Sequence, residues 1–154
     1  MKSTAFDAVQ SKVFDEVGFG GFFESLGLGM DSFHKDYSKD GYTSMTLQSN
    51  VKYIREIRQD SPFEVRCQML NYDHRFLHYW MELWNTGDEE YLVSSCERIS
   101  ICANLKTRGS SGWPEPIVER LGLEWERYSP LPFPKGAGEG GAIGIRSGGM
   151  RAKM

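Results

Sequence analysis

The sequence predicts an α+β protein in which a curved antiparallel sheet wraps one long central helix. Three observations point there. From about Asp7 to Leu28, apolar positions recur at spacings of three and four: Val9, Val13, Phe14, Val17, Gly21 and Phe22. That is one face of a helix with a 3.6-residue period. After Gly41, long stretches instead alternate apolar and polar residues at the period of a strand, with short turn signals between them. Finally, Gly18, Gly20 and Gly21 fall inside the helical pattern, where each glycine costs about 1 kcal/mol against alanine. Close approach of another backbone, such as a sheet curled around the helix, compensates for that. The other reading is a helix that kinks or breaks at Gly18.

In chain order, Asp7 stands where a side chain can accept from the first free helical N–H groups, and Leu26-Gly27-Leu28 is a stop signal. Asp31 to Gly41 is polar and ends in the turn pair Asp40-Gly41. Met45, Leu47, Ser49, Val51 and Tyr53 then alternate with Ser44, Thr46, Gln48, Asn50 and Lys52. Asp60-Ser61-Pro62 breaks the chain, and Phe63, Val65, Cys67 and Met69 form the next apolar row. Asn71 to His74 is a hairpin-like turn. Arg75 to Asn85 is a strand with Leu77, Tyr79, Met81 and Leu83 on one face and Phe76, His78, Trp80, Glu82 and Trp84 on the other. Tyr91 to Leu105 is the last long strand, with Val93, Ser95, Glu97, Ile99 and Ile101 on one side. Ile117 to Leu121 reads as a short helix stopped by Gly122. The expected organisation is one domain over residues 1–128 and a Pro/Gly-rich flexible tail over residues 129–154. A sheet holding one helix keeps open edges, which points to self-association.

Composition excludes several function classes. Eighteen Lys and Arg against 21 Asp and Glu leave a net charge of -3, with no broad basic footprint for nucleic acid. There is no apolar run of about 18 residues, the length a membrane-spanning helix needs. The amino terminus lacks the charged-then-apolar pattern of a secretion signal. Cys67, Cys96 and Cys102 are odd in number, without a short pairing motif, and sit in strands. That favours reduced thiols in the cytoplasm and argues against a zinc site.

The order of several short pieces resembles the hotdog-fold acyl-CoA thioesterases of the 4-hydroxybenzoyl-CoA thioesterase-like group. They are Phe14-Asp15-Glu16-Val17, Ser25-Leu26-Gly27-Leu28, Val51 to Ile57, Arg58-Gln59-Asp60-Ser61-Pro62, Arg75-Phe76-Leu77-His78, Ile99 to Leu105 and Trp113-Pro114-Glu115-Pro116-Ile117. The likeness covers roughly residues 7 to 122. It is similar in particular to short bacterial thioesterases associated with carnitine and betaine breakdown. The family usually has a first strand and an Asp-x-x-Gly-His-x-Asn loop before the helix. Here only Met1 to Phe6 stand there, so the first strand is short or missing, and either the chain starts late or the loop is replaced.

The resemblance implies hydrolysis of a small or medium acyl-CoA thioester to the free acid and coenzyme A. The alternative is a non-catalytic hotdog domain that binds acyl thioesters or serves in assembly. Hydrolysis needs a carboxylate to activate water and donors for the developing oxyanion, and a helix N-terminus supplies such donors. The candidate carboxylates are Asp7, which is otherwise a helix cap, and Asp15 and Glu16, of which one otherwise faces solvent and the other pairs with a base such as Arg55. Asn50, Tyr53 and Arg55 either line the acyl pocket or join two subunits. His78 is either an acid–base group or a hydrogen-bonded packing residue. Lys106 and Arg108 suit the phosphates of coenzyme A, or lie in a solvated loop. The aromatic residues pack the sheet or an interface. Hydration of an acyl-CoA, a more distant option, wants a histidine paired with a carboxylate, and the sequence offers no clear pair. The expected partners are acyl-CoA and a second copy in a homodimer or tetramer, with no nucleic acid, membrane, metal or cofactor, coenzyme A arriving as part of the substrate.

Overall fold

Burial on both sides is the lot of the longest strand, and the other elements are arranged around it. The computed structural model describes Val13, Phe14, Phe22 and residues 37–138. Within these, β1 (Tyr42–Tyr53), β2 (Phe63–Tyr72), β3 (Phe76–Thr86), β4 (Glu90–Asn104) and the short β5 (Gly109–Ser110) form one antiparallel sheet. The order is β1-β4-β3-β2, with β5 extending β4. Helix α1 (Glu115–Tyr128) closes the fold. Among the described residues β1 and β2 are the sheet edges, and the fifteen-residue β4 lies inside.

Local side chains set the turns. Asp73 Oδ1 accepts the N–H groups of Arg75 and Phe76, each at 2.8 Å, and so closes the β2–β3 hairpin. Asn85 Nδ2 donates to the Glu89 carbonyl at 2.6 Å across the β3–β4 turn. Asn104 does the same after β4: its Oδ1 accepts from the Lys106 N–H at 2.9 Å, and its Nδ2 donates to the Asp40 carbonyl at 3.1 Å. Gly41, at φ 92°, sits against that amide, where a Cβ would collide with Asn104 Oδ1. The Asp40-Gly41 turn therefore requires glycine on both conformational and steric grounds.

The inner face of the sheet carries the core. Phe14 and Phe22 are buried there with Met69, Leu77, Tyr79, Met81 and Cys96, and Val13 packs against the cluster. Val13, Phe14 and Phe22 are helical, so the two phenylalanines behave as the expected apolar face requires. Gly18, Gly20, Gly21 and the rest of the expected helix lie outside the described residues.

Three expectations need correction. The row Met45 to Tyr53 does not hold one face, because a bulge between Thr46 and Gln48 shifts the register and flips the side chains that precede it. Helix α1 does not stop at Gly122 but runs on to Tyr128. Ile117 and Leu121 are buried, Trp125 continues the stripe, and its ring meets Tyr72 edge-on at 5.7 Å. A Cβ on Gly122 would lie 3.4 Å from the Tyr72 hydroxyl, so this glycine admits a close neighbour and does not end the helix. The β2–β3 turn is also tighter than expected, since β2 runs to Tyr72 and β3 resumes at Phe76.

Burial holds two core groups in their protonated forms: the Cys67 thiol and the Tyr79 phenol are each pushed up to about 12. In the unfolded chain they ionise nearer 9.0 and 10.0. Above about pH 9 the unfolded state therefore loses protons that the native state keeps, and stability falls with rising pH. Urea unfolding followed from pH 8 to pH 10.5 is expected to show a falling midpoint. A midpoint that stays level or rises would contradict the burial of these groups.

Candidate functional site

β4 places charge on both of its faces. Successive strand side chains point to opposite sides, so Glu97 projects outward and Arg98 inward, and both are buried. The registers place Asn50 and Trp80 beside Glu97, and Ser49 and Tyr79 beside Arg98.

On the outer face, Glu97 Oε2 lies 2.7 Å from His78 Nε2, and both side chains are almost wholly buried. Glu97 Oε1 accepts the Gly138 backbone N–H at 2.6 Å. Phe133 packs edge-on against the His78 ring at 6.2 Å, and Gln68 Nε2 donates to the Pro132 carbonyl at 3.0 Å. The segment after α1 thus crosses β2, β3 and β4 in turn and covers this pair. A carboxylate and an imidazole within hydrogen-bond reach are the couple that acyl-CoA hydration would use, and the sequence alone did not bring them together. Both carboxylate oxygens are committed, and Phe133 and Gly138 lie against the pair. His78 is buried, hydrogen-bonded to Glu97 and packed against Phe133. The part of the expected tail up to Gly138 lies on the sheet, and residues 139–154 are outside the described residues.

Beside this pair on the outer face, the indoles of Trp80 and Trp84 both donate to Glu82, at 2.9 and 3.0 Å. The Arg66 guanidinium stacks 4.3 Å over the Trp84 ring and pairs with Glu64 and Glu90. These aromatics pack the sheet, as their alternation implies.

On the inner face, the Tyr79 hydroxyl is 3.1 Å from Ser100 Oγ and also bonds the Arg98 side chain. Ser49 Oγ lies 3.5 Å from Cys96 Sγ. The central strand thus presents a polar row, Ser94, Arg98 and Ser100, to the core that Phe14 and Phe22 fill. Charged residues at the centre of a fifteen-residue strand were the signal available in the sequence, because a buried charge needs a partner.

The anticipated residues separate. Asn50 is half-buried on the outer face beside Glu97, whereas Tyr53, exposed, ends β1 on the inner side opposite Ser94. Arg55 lies beyond the strand. It pairs with Glu89 at 3.3 Å and stacks 3.8 Å over the Tyr91 ring, so its counter-charge is a surface glutamate. Lys106 and Arg108 are exposed on the β4–β5 turn. Arg108 takes a φ of 58°, and Arg75, from the β2–β3 turn, reaches Ser110 Oγ at 3.5 Å. Asp7, Asp15 and Glu16 lie outside the described residues. Among the described residues, no group of His, Cys, Asp and Glu is arranged to hold a metal ion, and no helix is long and apolar enough to cross a membrane.

Comparison with known proteins gives this arrangement a context. The model of the Thioesterase-like superfamily matches residues 8–121. The betainyl-CoA thioesterase of Pseudomonas aeruginosa is 28% identical over 111 residues, which span 72% of this chain and 68% of that protein. An L-carnitine dehydrogenase/betainyl-CoA thioesterase of a Rhizobium species is 24% identical over 103 residues, 67% of this chain but only 20% of that longer protein. Among solved structures, a Staphylococcus aureus protein in complex with CoA superposes with a TM-score of 0.68 at 23% identity, covering 92% of this chain and 81% of the other. The DHNA-CoA thioesterase of the same species gives 0.58 at 19% identity, covering 78% and 73%. These likenesses establish the hotdog fold.

The outer anchor is testable by truncation. A chain ending at Tyr128 loses the Gly138 N–H bond to a buried carboxylate and the Phe133 cover. It is expected to lose roughly 2 kcal/mol or more, while a chain ending just beyond Gly138 keeps the full-length urea midpoint. Equal midpoints for all three chains would refute the anchor.

Proposed function

Because this chain belongs to the Thioesterase-like superfamily, we propose that it hydrolyses acyl-CoA thioesters as a dimer, using a carboxylate of its amino-terminal segment as the base. The observation that carries the reading is the family match over residues 8–121 together with Phe14 and Phe22 seated on the inner face of the sheet. That match includes Asp15 and Glu16, and Asp7 precedes it by one residue.

The chemistry is simple to balance. A water oxygen adds to the thioester carbonyl carbon as the carboxylate takes its proton. The carbonyl oxygen becomes an oxyanion that backbone N–H donors stabilise. The C–S bond then breaks, and the coenzyme A thiolate leaves and is protonated. No resident cofactor is required. Lys106 and Arg108 supply cations for the phosphates of coenzyme A, with Arg75 beside them. Asn50 and Tyr53 belong to β1, the edge at which a second copy would complete the acyl pocket.

The dimer is supported by the state of that edge. Met45 and Leu47 are 51% and 53% exposed, and every residue from Met45 to Ser49 is exposed although β4 pairs the strand on one side. A long edge strand with bare apolar side chains is a template for another strand. Cys67, Cys96 and Cys102, none of them in a disulfide, suit a reducing compartment such as the cytoplasm.

The test is release of free thiol from a panel of acetyl-, butyryl-, hexanoyl- and betainyl-CoA. One of Asp7→Ala, Asp15→Ala and Glu16→Ala is expected to lower kcat on the best substrate by about 100-fold or more, with normal folding. Leu47→Lys with Met45→Lys should convert a dimer on size-exclusion chromatography to a monomer. Absence of turnover across the panel would favour the thioester-binding alternative, and three fully active carboxylate variants would discard these residues as the base.

A further inference from the structure

One buried hydroxyl on the inner face goes unused. Ser94 lies on β4, 0% exposed, and among the described residues its Oγ finds no hydrogen-bond partner. A hydroxyl taken out of water without a hydrogen bond destabilises a fold, so one that is kept calls for a reason. Nearby hydroxyls on the same face are satisfied. Ser100 Oγ lies 3.1 Å from the Tyr79 hydroxyl, and Ser49 Oγ lies 3.5 Å from Cys96 Sγ.

The register decides what surrounds Ser94. Residues opposite one another across a ladder share a side of the sheet, so Tyr53 on β1 and Leu83 on β3 flank Ser94. One row further on, Val51 and Met81 flank Cys96. β3 fills its part of these rows with the large buried side chains of Met81 and Leu83, whereas β4 brings only a serine and a cysteine. Tyr53 is 50% exposed and ends the Ser94 row at the β1 edge, where a second copy is proposed to complete the acyl pocket. Short side chains alone would mean close packing against another element. The unpaired hydroxyl among them, wholly buried, is what points to a ligand.

We propose that Ser94 is a specificity-determining residue of the acyl subsite: its hydroxyl bonds an oxygen on the acyl chain, so the substrates are short acyl-CoA thioesters that bear a hydroxyl or carbonyl group beyond the thioester. The acyl chain passes Tyr53 and lies over Ser94 and Cys96. Ser94 Oγ donates to a carbonyl oxygen, and it both donates to and accepts from a hydroxyl. A plain alkyl chain of the same length leaves Ser94 unpaired. A site built to pair a substrate oxygen discriminates against the analogue that lacks it. This inference rests on the hydrolase reading and adds to it the chemical class of the acyl group.

The experiment measures kcat/KM of the full-length protein on 3-hydroxybutyryl-CoA, acetoacetyl-CoA and butyryl-CoA, which share one carbon chain and differ in its oxygen substituent. The wild type is expected to favour at least one of the two oxygen-bearing thioesters over butyryl-CoA by about tenfold or more. In Ser94→Ala that ratio should fall by at least about fivefold. The urea midpoint of Ser94→Ala should stay level or rise, because no internal hydrogen bond is lost. A wild-type ratio near unity overturns the proposal without recourse to a variant. So does a ratio that Ser94→Ala leaves in place, or a midpoint that Ser94→Ala clearly lowers, since the hydroxyl is then bonded within the protein. A wild type that hydrolyses no thioester sinks the hydrolase reading and this proposal together, whereas an active wild type with a ratio near unity sinks the proposal alone.

Discussion

Two opposite charges stand back to back at the centre of β4, and both are out of water. Glu97 and Arg98 are neighbours in the chain, so the strand sends them to opposite faces. Neither charge is tolerable in a dry interior unless something on its own side compensates for it. Both faces of the sheet must therefore be covered by chain that brings hydrogen bonds or charge, and not only by chain that brings apolar surface. On the outside that cover is the segment after α1, which contributes the Gly138 N–H while His78 supplies the second donor. On the inside Phe14 and Phe22 supply apolar cover, and the Tyr79 hydroxyl bonds the Arg98 side chain.

This two-sided demand divides the molecule by role. The outer polar pair, an imidazole on a carboxylate, is buried and bound on both carboxylate oxygens. The proposed hydrolase reading draws on other features: the cationic β4–β5 turn that Asn104 shapes and the exposed β1 strand. A family known for thioester chemistry is consistent with that division, because its fold puts a helix against one face of a sheet and leaves an edge open for a second copy.

Much of the sheet was legible in the sequence because half-buried strands advertise themselves by alternation. β2 and β3 read cleanly, with Val65, Cys67 and Met69 facing Leu83, Met81 and Tyr79 across the ladder. Alternation fails where the backbone inserts an extra residue, so the bulge at Leu47 was invisible and the faces of β1 were misread. Gly122 misled for a related reason: a glycine is a helix stop when it follows the last apolar residue, but here the stripe continues through Trp125 and the space beside the glycine is filled by Tyr72. The Pro/Gly-rich stretch after α1 has the composition of a loose tail, and its attachment runs through single contacts from Pro132, Phe133 and Gly138 that no local pattern encodes. The His78–Glu97 pair depends on strand register across nineteen residues of sequence, which periodicity cannot supply. Of the candidate residues, the exposed position of Lys106 and Arg108 in a loop was readable. The buried Arg98 was a visible charge whose side of the sheet only the register decides.

The central claim, that paired burial of charge on β4 governs the fold, is tested most directly by a double-mutant cycle on His78 and Glu97, read by urea unfolding of the full-length chain. Replacing His78 alone by leucine strands a buried carboxylate and is expected to cost about 3–5 kcal/mol. Replacing both residues by leucine removes the stranded charge and should recover at least about half of that loss. If the double variant is as unstable as the sum of the two single variants, the residues act as independent packing groups and the claim is wrong.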